Sequence, residues 1–334
     1  MKFPRLLGAG ILVLLNWQAC REPQIETRNA IEFPSDFPPI SYQNPANPFT
    51  EAHIALGRKL FYDPNLSLTR NISCGSCHAQ VHGFADHNLP LSFGIFGRKG
   101  KRNSPSLVNV AWMPNFMWDG GIRHLDVMPI APLTDSTEMG MTLPLVLERV
   151  KENEEYKTLF MNAYGKFEVS ETSVLLPLSQ FMLSIISDQS KYDRVRRSQD
   201  KFTANESNGY QIFKENCSSC HQEPLFTRND FQKNGITFNG EELGRFRITQ
   251  IPEDSFYFKV PTLRNVELTY PYMHDGRFRT LEEVLEAYNQ VDRNHAPNLP
   301  EFNLNTIEKE QLIAFLKTLT DYSLISNHKL SEPR

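Results

Sequence analysis

Two copies of one short pattern, Cys74-Gly-Ser-Cys77-His78 and Cys217-Ser-Ser-Cys220-His221, constrain this chain more than any other feature. On a helical turn, thiols three positions apart lie on one side at a spacing that suits the two vinyl groups of haem. The adjacent histidine offers an axial nitrogen, which is the attachment logic of c-type haem. A zinc centre needs four ligands, and each copy supplies three obvious ones. A thioredoxin-like pair does not call for a histidine after the second cysteine in both copies. The pattern predicts two covalently bound haem c groups, held by Cys74 and Cys77 and by Cys217 and Cys220, with His78 and His221 as the proximal iron ligands.

The chain has five cysteines, so only Cys20 stands outside this pattern. Residues 1–20 place Lys2 and Arg5 ahead of an apolar stretch from Leu6 to Leu15 and a small residue, Ala19. That order reads as a secretory signal, and the stretch is short of the ~20 residues of a membrane span. Export to the periplasm or outer surface follows. Ala19-Cys20 resembles a bacterial lipoprotein cleavage box, although Trp17 and Gln18 fit that box poorly; the alternatives are a lipid anchor at Cys20 and a plain periplasmic protein with a free thiol. A net charge of −4 excludes a nucleic-acid binder that relies on global positive charge. With 40% hydrophobic residues, the rest of the chain has the composition of a folded soluble protein.

Residues 21–48 are proline-rich and aperiodic, and are read as a linker or extended arm lying on the surface. Thr50 is a candidate N-cap ahead of Ile54, Leu56, Leu60 and Phe61. A second helix is expected from Glu171 to Asp188, where Pro177 must kink it or lie in its first turn. Pro105–Met128 aligns without gaps on Pro261–Val284, with nine identities in 24 pairs. Each copy follows its own Cys-x-x-Cys-His, so the chain reads as two related domains in tandem, 49–200 and 201–328. Thr280 and Glu283 form a capping box, and a last amphipathic helix follows Asn305 with Leu312, Ile313, Leu316 and Leu319 on one face. The expected fold is mainly α, with two tandem cytochrome c-like domains and few short strands.

From residue 50 to 325 the sequence resembles the bacterial dihaem cytochrome c peroxidases and their MauG-like relatives. The matching segments are SCGSCHAQVHGF, RNSPSLVN, FMWDGG, TEMG, NCSSCH, VPTLRNVELTYPYMHDGRF and QLIAFLKTL. The resemblance implies a peroxidatic haem in the N-terminal domain, an electron-transfer haem in the C-terminal domain, and a tryptophan between them at the position of Trp118. It also implies that Glu138 is the distal acid acting on bound peroxide.

Two departures from the family pattern stand out. Met128 replaces the family's usual glutamine, which removes a hydrogen-bond donor near the distal pocket. In typical members a distal histidine lies eight residues before the asparagine of the Arg-Asn-Ser/Ala-Pro motif, and here that position is Ile95. His82 and His87 are nearby at the wrong spacing. The resemblance then implies an open, high-spin haem on His78, the MauG-like arrangement. For the second haem, the family's sixth ligand maps to Tyr288, with Met273 as the competing candidate. A calcium ion at the domain interface maps to Asn103, Thr269 and Pro271, oxygen donors of the kind calcium takes.

The function implied is reduction of hydrogen peroxide with electrons from a small redox protein, a cytochrome c or a cupredoxin. One alternative is a MauG-like enzyme that oxidises aromatic side chains of a partner protein. The other is a dihaem electron carrier with no catalytic role. Family members often form homodimers. The basic run Arg98–Arg102 reads as a solvated loop.

Overall fold

Thr50 closes the extended N-terminal segment and opens the first helix by accepting from the backbone N–H of His53 at 3.1 Å, a cap worth about 1 kcal/mol. The computed structural model describes residues 30–86, 88–236, 241–291, 299–300 and 302–333. The expected export signal at residues 1–20, Cys20 and His87 lie outside these residues.

The first half contains α1 (Glu51–Tyr62), α2 (Cys74–Cys77), α3 (Ile130–Thr134), α4 (Leu143–Glu152), α5 (Glu154–Tyr164) and α6 (Glu171–Leu183). Then follow α7 (Lys191–Arg196), α8 (Ala204–Asn216), α9 (Phe246–Thr249), α10 (Leu281–Asn289), α11 (Thr306–Lys317) and α12 (Tyr322–Ile325). The only strands among the described residues are β1 (Phe231–Gln232) and β2 (Phe258–Lys259), which pair antiparallel. The expected mainly helical tandem fold with few short strands is what the structure shows.

Each half is built on one helix crossing, and a glycine makes each crossing close. A Cβ on Gly57 of α1 would stand 1.8 Å from the carbonyl oxygen of Pro177 in α6. A Cβ on Gly209 of α8 would stand 1.9 Å from the carbonyl oxygen of Gln311 in α11. Pro177 sits inside α6 rather than in its first turn. It cannot donate to the carbonyl of Ser173, four residues back, and the Tyr164 hydroxyl donates there instead at 3.3 Å. The helix ends at Leu183, short of the expected Asp188. Beyond it, Asn109 donates through its backbone N–H to the Ile185 carbonyl at 2.8 Å and pins Ser187 through both ends of its side-chain amide.

The sequence repeat is also a backbone repeat. Asn109, Met117 and Gly120 of the first copy, and Asn265, Met273 and Gly276 of the second, all adopt left-handed conformations at matched positions. Phe116 bridges Ile122 in one copy as Tyr272 bridges Phe278 in the other.

Two apolar cores follow from the two crossings. The first draws Leu56, Leu60, Phe61 and Phe181 together; the second centres on Phe213, Phe226, Phe315 and Leu312. Segments at both ends of the chain join the first core. The described part of the arm does more than lie on the surface: Ile31, Phe37 and Tyr42 are buried in that core, and Phe37 packs on Trp112. Leu324 and Leu330 return to it from the other end, where Tyr62 donates to the Leu330 carbonyl at 2.8 Å. Between the halves, Arg264 and Asp193 form a bidentate pair at 2.9 and 2.8 Å with neither side chain exposed.

Candidate haem sites and the bridge between them

In the C-terminal half, a cavity of about 280 Å³ is lined by Cys217, Cys220 and His221 together with Met273 and Tyr288. Its walls are mainly apolar, with Val260, Leu263, Val266, Leu285, Leu312 and Leu316. The His221 ring is fixed by a hydrogen bond between Nδ1 and the Phe226 carbonyl at 3.1 Å. That contact places the proton on Nδ1 and leaves Nε2 as the donor to a metal. Burial pushes the His221 pKa down against the hydrogen bond it donates to the Phe226 carbonyl, which favours the neutral imidazole that ligates iron.

Both candidate sixth ligands meet at Asn234. Its Nδ2 donates to Met273 Sδ at 3.6 Å, and its side chain also hydrogen-bonds Tyr288. Burial, with the nearby Cys217 and Cys220, raises the Tyr288 phenol above its ordinary value, and the Asn234 bond works the other way.

In the N-terminal half the motif histidine is held in the same way. Ser73 opens α2 in a capping box with Ser76, and His78 Nδ1 bonds the Phe84 carbonyl at 3.0 Å. None of the four motif cysteines is in a disulfide, and burial pushes Cys74 up to about 12 and Cys77 up to about 11. The Glu138 charge acts on both of these thiols, so the sequence-predicted acid lies beside the attachment turn. Burial, reinforced by the Asp135 charge, pushes Glu138 up to about 7. A carboxyl poised there can take and return a proton at neutral pH.

The backbone around Glu138 explains its placement. Ile95 donates to the Glu138 carbonyl at 2.8 Å, and a Cβ on Gly94 would stand 2.4 Å from that same oxygen. Ile95 itself is 1% exposed and apolar, so the position that carries a histidine in typical relatives supplies no ligand here. His82 stands edge-on to Tyr270, with ring centroids 6.2 Å apart. Met128 is buried in the first core.

Trp118 lies where the halves meet. Its Nε1 donates to the Asn103 carbonyl at 2.8 Å, and its own carbonyl accepts from the Lys259 N–H at 2.7 Å. It also lines the C-terminal cavity. Trp112, by contrast, is a core aromatic whose Nε1 donates to the Pro38 carbonyl at 2.7 Å. Next to Trp118, Asp119 has no exposed side-chain surface and receives Arg102 at 2.6 Å and Arg247 at 2.9 Å. Burial raises the Asp119 carboxyl, and Arg102 and Arg247 outweigh that, holding it below the usual carboxylate range. Arg102 also grips Glu242 at 2.8 Å, which ties the halves together through charge.

Asn103, Thr269 and Pro271 all line the C-terminal cavity. The Asn103 amide nitrogen is committed to the carbonyls of Leu89 and Pro90, each at 3.2 Å, so its oxygen is the end a cation could use. Among the described residues no three His, Cys, Asp or Glu side chains cluster to hold a metal.

Sequence reasoning missed Lys259, Asn234 and the carbonyls of Phe84 and Phe226. The carbonyls carry no side-chain signal at all. Lys259 had a weak one, as a lone cation between Phe258 and Val260-Pro261 in a segment otherwise suited to burial.

Apolar walls, two cysteines in no disulfide and an imidazole with Nε2 available make the C-terminal cavity fit a covalently attached haem. Comparison with known proteins agrees. The di-haem cytochrome c peroxidase family matches residues 51–201, and the cytochrome c family matches residues 206–320. Methylamine utilization protein MauG of Methylorubrum extorquens is 33% identical over 291 residues, covering 84% of this chain and 82% of that protein. Cytochrome c551 peroxidase of Nitrosomonas europaea is 34% identical over 271 residues, 79% of each chain. A solved MauG-like protein associated with microbial copper homeostasis superposes with a TM-score of 0.83 at 30% identity, covering 90% of this chain and 98% of that one. The diheme peroxidase BthA of Burkholderia thailandensis, at 21% identity and a TM-score of 0.73, shares the fold. The chain belongs to the dihaem cytochrome c peroxidase and MauG family, a family of haem oxidoreductases. Among the described residues no helix is long and apolar enough to cross a membrane.

Proposed function

We propose that this protein reduces hydrogen peroxide to water at its N-terminal haem site, drawing electrons from a small donor protein through its C-terminal haem site. Glu138 carries the reading: a half-buried carboxyl poised near 7 beside the Cys74–Cys77 turn. A simple electron carrier has no use for such a group.

Cys74, Cys77 and His78 would hold one haem, and Cys217, Cys220 and His221 would hold the other. Bound there, haem supplies redox-active iron that accepts the oxidising equivalents of peroxide. The protein supplies the proton chemistry. A Glu138 carboxylate oxygen takes a proton from the incoming peroxide and returns it to the departing oxygen, help typically worth about 10² to 10⁴ in rate. Ile95 leaves the distal side of this site without a ligand at the position used by typical relatives, which supports reaction without prior reduction. Trp118, wedged between Asn103 and Lys259, provides the aromatic bridge along which electrons pass between the sites.

The test is rapid mixing of the all-ferric protein with hydrogen peroxide, followed by addition of a reduced small cytochrome c or cupredoxin. Millisecond loss of the ferric high-spin bands and catalytic oxidation of the donor are expected. No reaction until one electron is added would show a reductively gated site.

A second reading, oxidation of a partner protein's aromatic side chains, is favoured by Tyr288. An anionic oxygen ligand suits higher oxidation states, and two of the relatives are named methylamine utilization protein MauG. Calcium at Asn103, Thr269 and Pro271 is supported by the Asn103 amide, whose nitrogen is committed to the Leu89 and Pro90 carbonyls and whose oxygen is the end a cation would use, with water completing the six to eight oxygen ligands that calcium takes. Chelation is then expected to loosen the contact between halves. Export rests on the first twenty residues, as does lipidation of Cys20.

A further inference from the structure

The C-terminal cavity contains one chemically exceptional group. Among the described residues lining it, Lys259 is the only Lys or Arg, and none is Asp or Glu. The residue is 9% exposed, and among the described residues its side chain hydrogen-bonds only Met113, from Nζ to Sδ at 3.3 Å. Among the described residues Lys259 forms no ion pair. A thioether is a weak acceptor, so this bond does not offset the loss of water around an ammonium. Burial pushes the amine down to about 8, the direction expected of a cation lacking a counter-charge.

A buried amine of this kind is costly to keep unless a ligand supplies an anion. The group that fits this cavity does so, since haem is an apolar macrocycle with two carboxylate arms. We propose that Lys259 is the counter-charge that receives a carboxylate of the C-terminal haem, and so fixes the orientation of that haem and raises its reduction potential. The potential follows from charge: ferric haem carries one more positive charge than ferrous, so a nearby ammonium disfavours the ferric form.

The location gives the pair a second consequence. Lys259 donates through its backbone N–H to the Trp118 carbonyl, so the residue that holds the haem carboxylate also holds the bridging tryptophan. Lys259 acts on the reaction as a positioning residue, through the haem and through Trp118.

The inference rests on haem attachment at Cys217 and Cys220, which haem counting by alkaline pyridine spectra checks separately. In Lys259→Met carrying both haems, the midpoint potential of the C-terminal haem, read by spectroelectrochemistry, is expected to fall by at least about 59 mV, the equivalent of tenfold in a one-electron equilibrium. Lys259→Arg keeps the charge and is expected to restore most of it. A Lys259→Met protein with two haems and an unchanged potential overturns the proposal. The parent protein gives a reading that depends on no variant. Resonance Raman bands of the haem carboxylates are expected to shift in D2O when an N–H donor holds them, and absence of any isotope shift also overturns it.

Discussion

Trp118 and His274 occupy equivalent places in the two sequence copies, and their rings meet edge to face with centroids 6.5 Å apart. The hydrogen bonds around them follow the same two-fold relation. Asn103, two residues before the first copy, donates to the His274 carbonyl at 2.8 Å; Lys259, two residues before the second, donates to the Trp118 carbonyl at 2.7 Å. Phe258 stacks on His274 at 3.9 Å with planes 10° apart, which completes an aromatic column across the junction.

Replacing Trp118 tests that column directly. Trp118→Phe loses the Nε1 donor to Asn103 while keeping an aromatic ring. Both haem spectra are expected to persist while peroxide-driven oxidation of the donor slows at least tenfold. Unchanged turnover with two haems in place would remove Trp118 from the electron path.

Glu138 fixes a pH dependence. Proton uptake from peroxide needs the carboxylate, so the rate of the first reaction is expected to rise with pH and level off above about 7. Glu138→Gln should abolish that rise and lower the rate about 10²- to 10⁴-fold, with both haem spectra kept. Stability moves in the opposite sense. The folded carboxyl holds its proton more tightly than the unfolded one, so its contribution is complete below the ordinary value of 4.5 and is lost as pH rises through about 7. Chemical denaturation of parent and Glu138→Gln across this range reads the difference.

The sixth ligand of the C-terminal haem is decided by comparing two conservative changes. Tyr288→Phe deletes the phenol oxygen and is expected to alter the electron paramagnetic resonance signals and charge-transfer bands of that haem. Met273→Leu deletes the sulfur and should leave them in place. The reverse pattern would assign the ligand to Met273.

The two helix crossings make a stability prediction that needs no haem chemistry. Gly57→Ala and Gly209→Ala each press a methyl group into a backbone carbonyl less than 2 Å away. Each is expected to cost about 1–3 kcal/mol or more. Gly100→Ala, whose nearest neighbour would be 3.7 Å away, serves as the control. Thermal unfolding measures all three.

Much of this architecture could be read from residue order, because haem attachment and helix capping are local. The Cys-x-x-Cys-His turns need five residues, and the boxes at Thr280 and Asn305 need four, so neighbouring residues alone specify them. The repeat was legible because left-handed turns restrict which residues fit, and Asn109 and Asn265 keep the same side chain for that reason. What escaped depends on contacts distant in sequence. Nothing near Phe37 announces that it packs on Trp112, and nothing near Pro177 announces that Tyr164 will serve the carbonyl it leaves open. Lys259 carried only the weak signal of a cation in an apolar segment, and the pairing of two strands of two residues each sets it in the cavity wall.

The last segment of the chain decides when the first half is complete. Gln80 donates to the carbonyls of Leu324 and Asn327, and Arg58 to those of His328 and Lys329, across sequence separations of 244 to 271 residues. Domain order along the chain is therefore not the order of completion during synthesis. The half made first waits for residues 324–330 to seal its core around Leu324 and Leu330, so a nonsense codon near residue 320 would leave the second core whole and the first one open.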